Sequence, residues 1–470
     1  MSIDIQVLLI LGGPLCLAGY GQEANRIQAV EDGLKAPYVI EGAPAATWKL
    51  ADRMKFHHVP AMGVAVIHEG KIVWAKGYGG AGEDTLFQAA SISKPVTALA
   101  ALSMVRNGQL SLDEDVNVKL KSWKVPENEF TAKEKVTVRR LLSHSAGMTV
   151  HGFAGYAAGV PVPSLVQVLN GEKPANSDPI RVDVLPGSIW RYSGGGFTVL
   201  QQLMIDVAGK PFPEILQKAV LGPIGMTHST YQQPLPVSMR PKAAQAYRSD
   251  GTQMEGGWHT YPEMAAAGLW TTPSDLARFA IELRKEARGE SNRVLTPELA
   301  KAMLTVQKGD FGLGIGVSGE GTSRHFGHGG ANEGYRCEFE MYLDSGDGAA
   351  VMTNSDDGSS LAPEIFRSIS AAYGWPDFKP RSIKVTKLDP ASMLPLAGEY
   401  QLGDMKIIVA LETGKLWVTP PGGSRAELLP QSETQFLIGD MNLPEVTFQK
   451  DEKGEVTGLR AFGQVARRIP

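Results

Sequence analysis

Strand-like runs stand near both ends of the stretch before Pro376, and helical patterns fill its middle. That order leaves few folds open. Met62-Gly63-Val64-Ala65-Val66-Ile67-His68 and Lys71-Ile72-Val73-Trp74-Ala75 are β-rich runs separated by Glu69-Gly70, a hairpin signal. The pattern returns at Phe311–Val317, Arg336–Leu343 and Ala349–Thr353, and residues 361–373 read as a last apolar helix. From residue 91 to about 285 helical spacing dominates. Strands this far apart bury their faces by joining one sheet. The expected class is therefore α+β, an antiparallel sheet built from both ends of a domain with a helical region inserted between.

Pro376-Asp377-Phe378-Lys379-Pro380 marks a boundary. Beyond it, Gly398-Glu399-Tyr400, Lys406–Leu411, Lys415–Val418, Gln435–Ile438 and Val446–Phe448 are short strands at turn-separated intervals, the spacing of a small antiparallel barrel or sandwich over 388–470. This stretch holds no His, no Cys and no obvious nucleophile. A formal net charge of −4 gives no basic face, which argues against nucleic acid as a partner. No run reaches the ~18–20 apolar residues needed to span a bilayer. At the start, Val7–Gly19 is an apolar run of signal-peptide length, followed by small residues suited to cleavage near Gly19–Gly21. The n-region carries Asp4 and no Lys or Arg. The expectation is a leader over 1–21, export to the periplasm or beyond, and no stable membrane insertion after cleavage. Residues 22–44 then read as a linker followed by a helix approach, and the main domain as 22–378. With Cys16 removed, Cys337 has no disulfide partner and is expected as a small core residue.

Chemistry enters at Ser91-Ile92-Ser93-Lys94, which opens a helix carrying Val96, Leu99, Leu102, Met104 and Val105 and stopping at Asn107-Gly108. Residues at i and i+3 share a helix face, with Cβ atoms roughly 5–6 Å apart. Lys94 is placed to take the proton of Ser91, and an unactivated serine needs such a base. To act, Lys94 must be neutral, so burial or a nearby cation has to lower its pKa from ~10.4. The free N–H groups and positive dipole at the helix start suit an oxyanion forming at Ser91.

Downstream stand Tyr192-Ser193-Gly194 and His328-Gly329-Gly330. This ordered set of three resembles the serine beta-lactamase and penicillin-binding-protein superfamily, which carries Ser-x-x-Lys, then Tyr-x-Asn or Ser-x-Asn, then Lys-Thr-Gly or His/Trp-x-Gly. Gly108–Asp113, Val138–Met148 with its Leu-Leu-x-His-x-Ala-Gly-like core, and Gly268–Leu276 resemble further family segments in family order. The chain is similar to the class C beta-lactamase-like branch with family VIII esterases and D-aminopeptidases, and residues 388–470 look like the lipocalin-like domain often appended there. The resemblance implies a beta-lactamase/DD-peptidase-like sheet flanked by helices, a second all-α lobe, and a site in the crevice between. It implies Ser91 as nucleophile, Lys94 as base, Tyr192 as a proton shuttle, His328 in the third motif, and the N–H groups of Ser91 and Ala331 as the oxyanion hole. No cofactor is implied.

Two departures shape the expected substrate. Gly194 replaces the usual Asn, removing a donor and leaving room for a bulkier acyl group. His328 replaces a lysine, and a histidine near pKa 6.5 is mostly neutral at pH 7. Both favour small-molecule esters, amides or peptides without a carboxylate over beta-lactams. Gly329 and Gly330 let the backbone approach the substrate closely. His325-x-x-His328 with Glu333 hints at a metal, but the glycines read as strand and no third ligand is obvious, so no metal is expected. Gly-x-Ser-x-Gly is absent in a strand-to-helix context. His57, His58 and His144 read as surface or core histidines, and Met62 and Met264 as core or cleft. The leading expectation is a serine hydrolase of carboxylesterase or D-amino-acid peptidase type. A low-efficiency beta-lactamase or DD-carboxypeptidase is the second reading. A penicillin-binding-like sensor without turnover is the third. The sequence sets no oligomeric state.

Overall fold

The computed structural model describes residues 14–419, 425–439, 444–461 and 463–469. Most of the expected leader, residues 1–13, lies outside them. The central sheet has six strands: β1 (Ala61–His68), β2 (Lys71–Gly79), β3 (Gly316–Ser318), β4 (His325–Asn332), β5 (Tyr335–Tyr342) and β6 (Gly348–Thr353). Their order is β2-β1-β6-β5-β4-β3, antiparallel throughout. Met62 thus pairs with Thr353 and Ile67 with Gly348, so the two ends of the domain do meet in one sheet.

Both faces of β1 are buried because each carries apolar residues toward a different layer. Met62, Val64 and Val66 pack with Leu361, Ile365 and Phe366 of helix α7 (Gly358–Tyr373) and with Val30 of α1 (Pro14–Asp32). Ala65 and Ile67 face α3 (Ser93–Arg106), α6 (Pro273–Ala287) and the helical lobe behind them. Helix α3 is buried over Ser93–Leu102, as expected of a helix apolar all round. Among the described residues, no helix is long and apolar enough to cross a membrane.

The stretch expected as a linker followed by a helix approach, 22–44, runs the other way round: it continues α1 to Asp32 and then gives short strands. Val30 and Leu34 are buried against α7, and that packing draws the chain onto the domain. Phe311–Ile315, expected as strand, is irregular, and only Gly316–Ser318 joins the sheet. Gly314 adopts a positive φ of 84°, where a Cβ would overlap Ala98 of α3.

Beyond the boundary the chain closes into an eight-stranded antiparallel barrel, β7 (Gly398–Leu402), β8 (Met405–Glu412), β9 (Lys415–Thr419), β10 (Ala426–Pro430), β11 (Gln435–Ile438), β12 (Glu445–Lys450), β13 (Val456–Ala461) and β14 (Gln464–Arg468). Closure through β7 and β14 leaves no free sheet edge.

Asn354, buried at the end of β6, accepts from the Ala61 N–H at 2.8 Å and donates to the Gln245 carbonyl at 2.7 Å. It joins the first strand, the last strand and the lobe. Asn354→Ala is expected to lower unfolding free energy by about 1–3 kcal/mol, the cost of stranding buried backbone groups. Chemical denaturation followed by circular dichroism measures it.

Candidate active site

Ser91 sits in a 3₁₀ turn, Ala90–Ile92, that runs straight into α3. Ala90 is held at φ 49°, a left-handed conformation rare for a residue with a Cβ. That twist presents Ser91 at the crevice while Ile92 and Ser93 stay buried. One turn on, Lys94 is 2% exposed, and its Nζ donates to Ser91 Oγ at 2.9 Å and to the Ala266 carbonyl at 2.9 Å. Ala266 lies in α5 (Met264–Ala267). Burial lowers the Lys94 pKa to about 7. The amine therefore exists partly as a free base at neutral pH, the requirement set by the sequence.

Tyr192 completes the trio, its ring centroid 4.9 Å from Lys94 Nζ. Burial pushes its phenol up, and its interaction with Ser91 pulls the other way. The phenol is thus a proton donor at neutral pH. Ser193 caps helix α4 (Gly194–Ala208), its Oγ accepting from the Gly196 N–H at 3.0 Å. Gly194-Gly195-Gly196 is the first turn of this helix.

Gly194 does not leave the room expected of it. A Cβ there would lie 3.1 Å from the His151 carbonyl oxygen and 3.1 Å from the Phe153 ring. The loop Thr149–Phe153 lies over the start of α4, with His151 and Val150 carbonyls accepting from the N–H groups of Gly194 and Gly195. That loop comes from forty residues upstream, so sequence reading placed open space where packing has already filled it. The His151 ring stands 4.9 Å from Tyr192 and walls the crevice.

His328 on β4 faces Tyr192 and Phe311, with ring centroids 6.1 and 5.7 Å away. Its Nδ1 is 2.5 Å from the Gly329 carbonyl, so Nδ1 carries the hydrogen and Nε2 is left as a lone-pair acceptor. Nε2 is buried with no protein partner. Burial first, then the Lys94 charge, lowers the His328 pKa to about 4, so the ring is neutral. A substrate carboxylate near Nε2 meets neither a cation nor a donor.

The two glycines after His328 differ in role. A Cβ on Gly330 would overlap the Ala89 carbonyl oxygen and press on Ala90, whereas Gly329 has only the Cys337 carbonyl oxygen within 4 Å, at 3.9 Å. Gly330 therefore admits the Ser91 turn against β4, rather than the substrate as expected. The two-residue turn Glu333-Gly334 makes Asn332 and Tyr335 the hydrogen-bonded pair, so Ala331 next to them directs its N–H away from β5. Strand β3 reaches only residues 325–327. The Ala331 amide is left on a free edge beside the Ser91 turn. Asn332, buried, fixes this edge by donating to Gln88 Oε1 at 2.7 Å and the Ala267 carbonyl at 3.1 Å.

Sequence reading missed His144. Its ring lies 4.2 Å from that of Tyr192, tilted by 32°, and its Nδ1 accepts from the Ser193 N–H at 3.1 Å. Burial, followed by the charges of Lys94, His328 and His151, holds its pKa well below the usual value. A neutral, wedged imidazole fixes both the plane and the following amide of Tyr192. The signal was present in Leu141-Leu142-Ser143-His144, but nothing local links it to a tyrosine forty-eight residues on. His144 (φ 54°) and Val150 (φ 62°) share the left-handed backbone of Ala90. All three border the trio. Strain gathered at one place accompanies function.

Residues proposed for a metal do not gather. His325 Nδ1 contacts the Ser323 carbonyl at 2.8 Å, and Glu333 pairs with Arg248 at 3.5 Å.

With this geometry, the comparisons with known proteins decide the family. The beta-lactamase profile matches residues 49–373. The chain belongs to the beta-lactamase family. Protein Rv1367c of Mycobacterium tuberculosis is 29% identical over 250 residues, covering 47% of this chain and 59% of that protein. The chain thus spans about three-fifths of that relative's length. Esterase EstB of Burkholderia gladioli is 30% identical over 153 residues, 31% of this chain and 38% of the esterase. The octameric penicillin-binding protein homologue from Pyrococcus abyssi superposes with a TM-score of 0.60 at 22% identity, over 89% of this chain and 98% of that one, and so shares the fold. The beta-lactamase/penicillin-binding-protein fold of a serine hydrolase family and the barrel after it both stand as expected.

Gly330→Ala is expected to cut kcat/KM for an ester substrate by about 10²-fold, since displacing the nucleophile turn by even 1 Å costs that much. Gly329→Ala should stay close to wild type. Steady-state kinetics on the pair tests the assignment. His144→Phe should lower kcat by about tenfold with little change in KM. The His144→Phe/Tyr192→Phe double variant should be no slower than Tyr192→Phe alone, because both act through one group.

Proposed function

We propose that this protein hydrolyses uncharged carboxylic esters, and small amides of similar shape, through an acyl-enzyme on Ser91. The observation that carries the reading is the 2.9 Å contact of Lys94 Nζ with Ser91 Oγ inside a dry pocket. Neutral Lys94 takes the Ser91 proton as Oγ attacks the carbonyl carbon. The carbonyl π pair moves onto oxygen, which the N–H groups of Ser91 and Ala331 receive. One such donor is typically worth ~3–4 kcal/mol in the transition state. The carbon–leaving group bond then breaks, and the Tyr192 phenol hands its proton to the departing oxygen or nitrogen while Lys94 returns one to the phenolate. Water repeats the sequence on the acyl-enzyme, with Tyr192 and Lys94 as base.

The preference for uncharged substrates rests on His328. A neutral ring with its Nδ1 hydrogen committed to Gly329 repels rather than holds a carboxylate. Filling of the Gly194 space by His151 and Phe153 restricts the acyl side to small or flat groups. The esterase relative agrees with an ester reading. Slow beta-lactam or D-amino-acid peptide turnover is the second reading, drawn from the shared fold.

Ser91→Ala should abolish hydrolysis of p-nitrophenyl acetate, and a fluorophosphonate should label Ser91 alone. Stoichiometric labelling of another serine refutes the mechanism. Because Lys94 works as the free amine with a pKa of about 7, kcat/KM should climb about tenfold per pH unit below that value and level off above it. A profile flat from pH 5 to 9 would remove Lys94 as the base. His328→Lys should raise nitrocefin turnover relative to p-nitrophenyl butyrate by about ten- to a hundredfold, the worth of a charge-assisted contact.

A further inference from the structure

One cavity among the described residues stands well apart from Ser91. It lies where the barrel opens toward the face of the catalytic domain formed by α2 (Leu50–Phe56) and α7, and it holds about 1150 Å³. That exceeds the ~300–1,000 Å³ of ordinary small-molecule clefts.

Its origin is a division of labour along the barrel axis. Barrels of eight strands are just wide enough for side chains to fill, or to hold one small ligand. Here Tyr400, Leu416, Phe436 and Phe448 fill one end, which Met393 and Leu396 plug from below. The Tyr400 hydroxyl donates to the Leu396 carbonyl at 2.7 Å and fixes the plug. Toward the other end the inward positions are Val409, Val418, Leu428, Val446, Leu459 and Ala466, and these line the cavity. Short aliphatic side chains leave the space that aromatics close below. Water there finds few polar partners.

The opposite wall is polar, and two of its arginines are paired with carboxylates. Arg53 lies between the rings of Trp48 and Phe56, at 4.2 and 4.3 Å, and donates to both oxygens of Glu364 at 2.7 and 2.5 Å. His57 Nε2 meets the same carboxylate at 3.0 Å. At the barrel rim Arg425 is paired with Glu412 at 2.6 Å. Arg367, also in this wall, donates from Nε to the Lys35 carbonyl at 2.9 Å. Phe56 meanwhile lines the cavity while 67% exposed, an apolar surface at the entrance.

We propose that this cavity binds the hydrocarbon chain of a fatty-acyl amphiphile, chain inward along the aliphatic half of the barrel and polar head left at the Arg53–Glu364 rim. The site is separate from Ser91 and does not depend on the ester hydrolase reading.

The test uses full-length Ser91→Ala protein, in which no probe is consumed, and cis-parinaric acid, whose fluorescence rises in an apolar site. Saturable binding with one site per chain is expected, displaced by both dodecanoate and dodecan-1-ol because the aliphatic half of the barrel holds the chain. Val418→Trp and Leu428→Trp fill the cavity and should each weaken binding by about tenfold or more while retaining the thermal midpoint. Should both variants unfold, a diazirine-bearing palmitate, photolysed on the Ser91→Ala protein, replaces them, and labelled peptides must come from 398–468 or from α2. Absence of saturable binding, equal binding by folded Trp variants, or photolabelling confined to the Ser91 crevice would overturn the proposal.

Discussion

A lysine with its charge stripped by burial is the interaction on which the rest of this architecture depends. Lys94 has two oxygen neighbours, the Ser91 hydroxyl and the Ala266 carbonyl, and an otherwise apolar and aromatic surround. Remove the surround and the amine returns toward pKa ~10.4, protonated and useless as a base. Helix α3 must therefore be buried on every side, which is why it lies between the sheet and the lobe. The lobe supplies α5 and Tyr192, and the sheet supplies β4 with His328. None of the three walls is ornamental, because each excludes water from the same nitrogen.

Much of the candidate site was legible because it is local. Ser91 and Lys94 are a helical i, i+3 pair, and four residues suffice to state the idea. The sheet was legible in its periodicity, and its antiparallel closure followed from strands lying at both ends. What escaped depended on segments that meet only in three dimensions. The glycine at 194 has a vacancy in sequence that the Thr149–Phe153 loop fills in space. Gly330 meets Ala89, and His144 meets Tyr192, with nothing in either neighbourhood to announce it. In the barrel, Ala426–Pro430, Val456–Ala461 and Gln464–Arg468 were missed. They carry Glu427, Pro430, Gly458, Arg460 and Arg467, which dilutes the alternation that the other strands display.

The crevice also shows how one small substitution changes the meaning of a neighbour. With lysine in the third motif, the pocket would hold two cations and could receive an anion between them. With histidine, the ring gives its hydrogen to its own strand and shows a lone pair. The neutrality of Lys94 then rests on its burial alone, with no neighbouring cation to lower its pKa further. The low pKa of His328 and the low pKa of Lys94 are two sides of one dry environment.

The pairing of Met62 with Thr353 has a temporal side. A ribosome releases Ser91, Lys94 and Tyr192 long before it makes β4, β5 and β6. Until those strands emerge, β1 and β2 form a hairpin with one edge waiting, and the nucleophile turn has no Gly330 to press against. Pairings of such long range form slowly and leave sheet edges uncovered meanwhile. The same topology acts as a safety catch: a chain that stops before residue 330 carries Ser91 and Lys94 but lacks the wall that packs against them.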